Sequence, residues 1–455
     1  MAKNLLEIPE TGIDKELLLQ KLSGDIKKDD INPRSGKAFG LSYLAREEHS
    51  KFLKKVFSLY FDANALNPGA YPSLITMETE VVAMTAWMLN GSKKVMGSMT
   101  SGGTESIIMS VKAHRDQARE LKGIKKPEIV VPLTAHPAFE KAGHYLDVKV
   151  VHAPLRDDYR ADVDEMGKLV NENTIMLVGS AVCYPYGVID SIPSIAEIAL
   201  EHEIGCHVDA CLGGFLLPWI EKAGYPISHP WDFRVEGVTS ISADIHKYGY
   251  GPKPASTITY KSEKLRKYQF YVYSEWCGGI YGSPSMPGSR PGGAIAAAWA
   301  SLMALGQNGY TELAKISQET GKRMCNGINT IEGLHVMGKP EVGIYAYTVD
   351  EGANLDMFQL IDMMEEKGWL INRMQNPPAA HHMTSCVHEP IVDEFLNDLK
   401  SSMEELKSKP PSINQEGQAA MYGMMATFDD RKKIDDLVKD FLLQEYRFDM
   451  KKKLL

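Results

Sequence analysis

The sequence predicts an α/β protein with a mostly parallel central sheet and a smaller C-terminal α+β domain. From about residue 95, short apolar runs of strand length alternate with longer amphipathic stretches. Buried strands that alternate with helices are typical of a parallel sheet covered by helices on both faces. The predicted strands of this sheet are 129–131, 148–151, 174–179, 204–208 and 237–241.

Helices and loops complete the predicted order of elements. The segments with helical spacing of apolar residues are 44–60, 74–89, 107–119, 137–145, 194–202, 294–306 with a restart near 310, and 355–366. A further strand is expected over 343–349, and a glycine- and proline-rich loop over 278–293. We therefore divide the chain into an N-terminal arm and helix (1–60), a large domain (61–310) and a small C-terminal domain (311–455).

Composition limits the classes of function. The 455 residues are 44% hydrophobic and 24% charged, and the formal net charge of −9 argues against a nucleic-acid-binding surface. None of the six cysteines has C-x-x-C spacing, so we expect reduced thiols and no metal site. The charged N-terminus lacks a signal-peptide core, and the longest nearly apolar stretch, 294–305, is too short to cross a bilayer. A cytoplasmic enzyme without a transmembrane segment is expected.

Asp209 and Lys247 carry the strongest indication of chemistry. Asp209 directly follows the predicted strand 204–208, and Lys247 lies 38 residues further on, also past the end of a strand. Active sites of parallel sheets lie at these carboxyl ends. A lysine amine can form a Schiff base with the aldehyde of pyridoxal phosphate (PLP), and a carboxylate can keep the pyridine nitrogen protonated. The pair predicts a PLP enzyme that acts at the α-carbon of an amine.

A turn of small residues before the predicted helix 107–119 would suit the cofactor phosphate. Its residues are Ser101, Gly102, Gly103 and Thr104. Small side chains let backbone N–H groups approach an anion, and the helix N-terminus adds partial positive charge. A plain capped turn, with Thr104 or Ser106 as N-cap, is the alternative. The position of the turn upstream of Asp209 and Lys247 favours phosphate binding.

Three histidines and a second lysine are further candidates. His136 follows the strand 129–131 and could stack on the pyridine ring. His207 lies on the same strand face as Asp209, and could reach the cofactor hydroxyl or brace the aspartate. His246 could donate to the phosphate; the alternative for each histidine is a satisfied core residue. Lys253 could contact a substrate anion or carry a proton, or it could simply be solvated.

Several motifs make the sequence resemble sphingosine-1-phosphate lyases. They are 100–106, 207–215, 233–253, 278–293 and 420–424, in family order, and the likeness runs from about residue 35 to 445. The family belongs to the group II PLP decarboxylases of fold type I, the aspartate-aminotransferase-like class. Its eukaryotic members carry a membrane helix, which we do not find here. The resemblance also assigns Ser242 to the cofactor site.

The resemblance implies cleavage of the C2–C3 bond of a phosphorylated 2-amino-3-hydroxy compound, giving an aldehyde and phosphoethanolamine. Proton transfer near C3 would fall to Tyr281 or Lys253. The family's active sites lie between two subunits, so we expect a homodimer in which Tyr281 and the turn Gly288, Ser289 and Arg290 complete the partner's site. This reaction belongs to sphingolipid metabolism.

Two departures concern the substrate phosphate. The family has a histidine where Asn67 stands, and a tyrosine after an early turn where the nearest aromatic residue is Phe39. Loss of a charge-assisted contact would cost about 1.5–3 kcal/mol of binding. Tyr422, in the last motif, is a further candidate substrate contact. An amino-acid decarboxylase on the same scaffold is the main alternative, and a non-catalytic PLP-binding module a second one; Arg290 cannot decide between lyase and decarboxylase, because the lyase pattern contains it too.

Overall fold

A seven-stranded sheet forms the centre of the large domain. The computed structural model describes residues 8–66, 69–353, 355–408 and 431–447. The strands of the sheet are β1 (Met96–Thr100), β2 (Glu128–Pro132), β3 (Lys149–Ala153), β4 (Thr174–Ser180), β5 (Gly205–Asp209), β6 (Ser240–Ala243) and β7 (Ser256–Tyr260). Their order is β1-β7-β6-β5-β4-β2-β3, and β7 alone among them runs antiparallel to its neighbours. The predicted mostly parallel sheet is confirmed, whereas β1 and β7 were not predicted.

Helices pack on both faces of this sheet. The helices of the described residues are α1 (Lys15–Asp29), α2 (Glu47–Leu59), α3 (Pro72–Met88), α4 (Gly103–Lys122), α5 (Ala138–Leu146), α6 (Val163–Lys168), α7 (Ile192–Glu201), α8 (Leu217–Lys222), α9 (Glu263–Arg266), α10 (Gly292–Ile328), α11 (Met357–Glu366), α12 (Val392–Ser408) and α13 (Arg431–Glu445). Along β2, Ile129 and Val131 join the core cluster that contains α4 and α5, whereas Val130 joins the cluster of α7, α8 and α10. This alternation is the period of two expected for a strand buried on both faces.

The small domain is a four-stranded antiparallel sheet covered by helices. Its strands are β10 (Leu334–Val336), β11 (Ile344–Val349), β12 (Asn372–Gln375) and β13 (Pro378–Met383), in the order β10-β11-β13-β12. Helix α10 leads from the large domain into this one, and Gly306 interrupts it with a non-helical backbone at φ +55° and ψ −177°. Two helical segments therefore meet at this glycine, which agrees with the predicted helix end at 306 and restart near 310. Glycine accepts this backbone conformation at little cost.

The N-terminal arm packs on the small domain. Phe39 is fully buried in the small-domain core, where its ring stacks on His382 with centroids 3.8 Å apart. Ala38 forms a bridge with Leu370 on the same domain. The arm therefore connects the two domains and brings the residues that follow Phe39 to the space between them.

A short hairpin extends from the large domain. It consists of β8 (Tyr271–Tyr273) and β9 (Tyr281–Ser283), the second of which lies within the segment predicted as a loop. Its exposed apolar side chains are Tyr271, Val272, Tyr273, Trp276 and Ile280. Among the helices that the structure describes, none has both the length and the apolar composition needed to span a bilayer.

Candidate active site

Four residues predicted to bind the cofactor, His136, Asp209, His246 and Lys247, line one cleft at the carboxyl ends of β4, β5 and β6. The cleft has a volume of about 250 Å³. The other titratable side chains on its wall are Tyr43, Tyr184, Cys211 and Lys253. Asp209 and Lys247 therefore share a cavity, as the sequence predicted from their places past two neighbouring strand ends.

Asp209 is held by the register of β5 and β6. It ends β5 directly opposite Ser242 of β6, and it is 7% exposed. Its Oδ1 accepts hydrogen bonds from the N–H of Cys211 at 3.0 Å and from the hydroxyl of Ser242 at 3.4 Å. These two donors fix the carboxylate at the mouth of the cleft, where it could pair with a protonated ring nitrogen.

His207 supports Asp209 through Ser242 and does not reach the cleft. The ring is fully buried; its Nε2 lies 3.2 Å from Ser242 Oγ, and its Nδ1 contacts Ser110 and Ser240. Burial, and then the proximity of His114, lower the pKa of His207 to about 3, so the ring is neutral. Of the two predicted roles of His207, the structure favours bracing the aspartate, through Ser242. Ser242, expected to contact the cofactor, lies outside the cleft lining and donates to Asp209 instead.

Lys247 forms an ion pair with Asp244 inside the cleft. The two charged atoms are 2.9 Å apart, and Asp244 is 1% exposed. Burial lowers the pKa of Lys247, but the combined effects of Asp244, Cys211 and Tyr43, with Asp244 the largest of the three, raise it above the ordinary value. The sequence analysis did not select Asp244, although its place three residues before the lysine was visible.

His136 and His246 occupy separate positions on the cleft wall. His136 Nδ1 accepts a hydrogen bond from the N–H of Ala138 at 3.1 Å, which fixes its ring at the start of α5. Burial lowers the pKa of His136, against the opposing charge of Asp209, and burial also lowers the pKa of His246. A neutral His136 suits ring stacking. His246 lies beside Gly102 of the small-residue turn, at the phosphate end that the sequence predicted for it.

The turn from Ser101 to Thr104 leaves no room for a side chain at Gly103. A Cβ on Gly103 would lie 2.7 Å from Cys211 Sγ and 2.8 Å from Asp244 Oδ2, and one on Gly102 would lie 3.4 Å from His246. Helix α4 begins at Gly103, and the first N–H groups of a helix lack partners within it. Ser101 is exposed, and its N–H donates to Glu105 at 2.6 Å. This arrangement fits an anionic group bound by backbone.

Tyr43 is the cleft residue that the sequence analysis missed. Its hydroxyl donates to Met383 Sδ at 3.1 Å, and burial raises its pKa well above the ordinary value while the charge of Lys247 opposes this effect. Phe39, selected as a substrate contact, is corrected by its complete burial in the small-domain core. Phe39 acts through its backbone, since its carbonyl accepts a hydrogen bond from Asn372, another residue of the cleft wall.

Lys253 stands opposite Lys247 in the same cleft. Its Nζ donates to the carbonyl of Leu41 at 3.4 Å. Burial, and then the positive charge of Lys247, lower the pKa of Lys253. The pKa values of the two lysines are therefore shifted in opposite directions, and Lys253 is the more readily deprotonated of the two.

The predicted residues of 281–290 lie outside this cleft. Tyr281 is in the hairpin, with its hydroxyl 3.4 Å from the position of a Cβ on Gly288. Ser289 Oγ accepts a hydrogen bond from Asn64 at 3.0 Å. Arg290 is buried in an ion pair with Glu78 at 2.7 Å. Within this chain these residues build the hairpin base. Two other candidates, Asn67 and Tyr422, lie outside the described residues.

These residues fit PLP by the chemistry of their donors. Lys247 supplies the amine, Asp209 the carboxylate for the ring nitrogen, His136 a flat neutral ring, and the turn at Gly102 and Gly103 a backbone cradle. Proton-carrying groups occupy the opposite wall. The site can therefore hold the cofactor at one end and a substrate between it and the small domain.

Comparisons with known proteins agree with this site. The pyridoxal-dependent decarboxylase conserved domain matches residues 42–349. The chain is 41% identical to the sphingosine-1-phosphate lyase of Dictyostelium discoideum over 96% of this chain and 81% of that protein. It is 42% identical to sphingosine-1-phosphate lyase 1 of Rattus norvegicus over 97% of this chain and 77% of that protein.

A solved structure extends the likeness to the fold. The sphingosine-1-phosphate lyase of Burkholderia pseudomallei superposes with a TM-score of 0.85 at 40% identity, covering 89% of this chain and 93% of that one. The predicted fold type and the PLP cofactor are thereby confirmed. The chain belongs to the pyridoxal-dependent decarboxylase family and, within it, to the sphingosine-1-phosphate lyases.

Proposed function

We propose that this chain cleaves the C2–C3 bond of sphingosine 1-phosphate or a related phosphorylated 2-amino-3-hydroxy compound, releasing an aldehyde and phosphoethanolamine. The observation that carries the proposal is the single cleft in which Asp209 and Lys247 face Tyr43 and Lys253. It holds a covalent anchor and an electrostatic partner for the cofactor, together with two proton-carrying groups for the substrate. The likeness to named lyases along nearly the whole chain supports the same reaction.

The side chains divide the chemistry among them. PLP, when bound, supplies an electron sink for the α-carbon of the substrate amine. Asp209 would keep the ring nitrogen protonated, and the amine of Lys247 would hold the cofactor. Lys253, with its lowered pKa, accepts the proton of the C3 hydroxyl as the C2–C3 bond breaks. Tyr43, with its raised pKa, keeps its proton and donates it to C2.

The wall of the cleft favours the lyase over an amino-acid decarboxylase. A decarboxylase must hold the carboxylate of its substrate, for which arginine is the usual partner. In the part of the chain that the structure describes, no arginine lines the cleft. Arg290 is committed to Glu78 and to the carbonyl of Ala65. A substrate without a carboxylate fits this wall better.

The hairpin supports a homodimer with shared sites. Its side chains Val272, Trp276 and Ile280 are 65%, 54% and 81% exposed, which is costly in water unless another surface covers them. We propose that a second copy of the chain covers the hairpin, and that Tyr281 then contributes to the partner's cleft. A cytoplasmic location is supported by the six cysteines, all of which are unpaired.

Product analysis tests the proposed reaction. Purified protein is incubated with PLP and sphingosine 1-phosphate, and separately with a panel of amino acids. We expect a long-chain aldehyde and phosphoethanolamine by mass spectrometry, no carbon dioxide, and no products with Lys247→Ala. Carbon dioxide from an amino acid without any aldehyde from the phosphate would instead establish the decarboxylase.

A further inference from the structure

Asp244 is a buried charge that the proposed reaction leaves unused. Its carboxyl group is 1% exposed, at the turn between β6 and Lys247. Among the described residues, no backbone N–H or hydroxyl donates a hydrogen bond to either of its oxygens. A buried carboxylate without such donors is expensive, because nothing replaces the water it has lost. Its position therefore needs a partner of opposite charge.

Lys247 is that partner. Its Nζ lies 2.9 Å from Asp244 Oδ2, whereas His246 Nε2 is 3.7 Å from the same oxygen. On the side of α4, Gly103 leaves just the space that the carboxylate fills. The titratable groups that line the cleft with Lys247 or act on Asp244 include Tyr43, His136, Asp209, Cys211, His246 and Lys253. Asp209 is the other carboxylate among them, and its Oδ1 accepts hydrogen bonds from Cys211 and Ser242. The carboxylate in contact with Lys247 is that of Asp244.

We propose that Asp244 is a positioning residue whose carboxylate binds the ammonium group of Lys247 whenever that lysine is not joined to the cofactor. The inference rests on the proposed function for its meaning in the reaction cycle, but not for its geometry. When a substrate amine takes the place of Lys247, the proton that the substrate ammonium gives up would pass to the freed lysine amine. Asp244 then receives the ammonium 2.9 Å away and keeps it out of the substrate's path.

The ion pair also affects the first attachment of the cofactor. A lysine must be neutral to attack the cofactor aldehyde, and Asp244 favours the charged form. The pKa of Lys247 is raised by this contact even though burial acts in the opposite direction. Asp244 thus favours release of Lys247 from the cofactor and slows its reattachment. Both effects help the substrate amine to replace the lysine.

Competitive labelling measures this effect without any turnover. The full-length protein, with cofactor removed, is treated with trace acetic anhydride at a series of pH values, and acetylation of each lysine is quantified by peptide mass spectrometry. Exposed lysines such as Lys264 serve as internal references. In wild type, the labelling rate of Lys247 should still be rising where the references level off, near the ordinary lysine pKa of about 10.4. A Lys247 rate that levels off together with the references would overturn the proposal.

The variant Asp244→Asn keeps the shape and removes the charge. Below pH 10.4 it should raise the labelling rate of Lys247 about ten- to a thousandfold, since an opposite charge at this distance shifts a pKa by about 1–3 units. The rate of the exposed Lys253 should change far less. An unchanged Lys247 rate in a folded variant would refute the assignment. If the variant does not fold, the wild-type profile decides alone. Both readouts stay valid if the chain acts on a different substrate.

Discussion

Tyr43 and Lys253 face one cleft with opposite tendencies to hold a proton. Burial raises the pKa of the Tyr43 hydroxyl, whereas burial and the charge of Lys247 lower the pKa of Lys253. Two groups shifted in opposite directions are what a reaction needs when it removes a proton from one atom and delivers one to another. We therefore assign the acid to the tyrosine and the base to the lysine.

Tyr43→Phe tests this assignment. The variant keeps the ring that packs against Tyr248 and removes the hydroxyl, so folding should be unaffected. We expect kcat for aldehyde formation to fall about 10²–10⁴-fold, with KM changed much less. Tyr184→Phe is a matched control, since Tyr184 lines the same cleft and should lose less than tenfold. Equal losses in the two variants would show that Tyr43 has no special role.

Site residues that directly follow strands could be predicted from the sequence, whereas those that reach the site through tertiary packing could not. Asp209 and Lys247 stand next to strand ends, so the sheet topology alone brings them together. Tyr43 is on an arm remote in sequence, and its entry into the cleft depends on the burial of Phe39 in the small domain. No periodic pattern in the sequence shows that Tyr43 lines the cleft while Phe39 is buried in the core.

The turn between β1 and α4 requires glycine at position 103 and tolerates a side chain better at position 102. A Cβ on Gly103 would come within 2.7 Å of Cys211 and 2.8 Å of Asp244, both buried, whereas one on Gly102 would meet only His246 at 3.4 Å. The side chains of Cys211 and Asp244, which pack closely against the turn, set this requirement, and not a positive φ. The small residues from which a phosphate site was predicted are thus also required by packing, which the sequence alone could not show.

Gly103→Ala should destabilise the protein by about 1–3 kcal/mol, as overpacking of a buried site does. It should also weaken PLP binding, because the turn must move away from Asp244. Gly102→Ala is the matched control for stability, and its free energy of unfolding should stay close to wild type. Urea unfolding of the cofactor-free proteins measures the difference. Equal unfolding midpoints for the two variants would contradict the crowding at Gly103.

Strands that form continuous apolar runs were predicted well, and strands that contain polar residues were missed. The parallel strands β2 to β6 lie within a few residues of the predicted runs, because buried strands leave continuous apolar segments. Strand β1 contains Gly97 and Ser98, and β7 contains Ser256, Thr257 and Thr259, so neither appeared as an apolar run. Their polar side chains are satisfied inside the fold, which composition does not reveal.

At the scale of the whole molecule, the exposed hairpin predicts association. We expect Trp276→Asp to dissociate a homodimer and to lower activity, because a charge would be buried against the second copy. Leu121→Asp, at a residue 67% exposed on α4, is the control and should leave the mass unchanged. Analytical ultracentrifugation gives the mass. A wild-type protein that remains monomeric at micromolar concentration would contradict the shared site.

Buried neutral histidines predict a loss of stability in acid. Burial lowers the pKa of His207 to about 3, and of His114 and His381 to about 4. Each binds a proton on unfolding below its ordinary pKa of about 6.5, so stability is full above that pH and is lost as pH falls. The slope is about 1.4 kcal/mol per pH unit for each histidine. Asp190, with its pKa raised to about 6 by burial, offsets one of the three below that pH.

Urea unfolding at several pH values checks this slope. The midpoint should fall steadily from pH 6.5 towards pH 4.5. A constant midpoint over that range would mean that the three rings are charged, or open to solvent, in the folded protein.

The account depends on a covalent bond between Lys247 and PLP, and trapping that bond tests it most directly. Protein reconstituted with PLP is reduced with borohydride, digested and sequenced by mass spectrometry. We predict that the added cofactor mass resides on the peptide with Lys247, with Lys253 unmodified, and that Lys247→Ala carries no added mass while remaining folded. Cofactor attached to another lysine, or an unmodified Lys247 in a protein that still cleaves its substrate, would contradict the account.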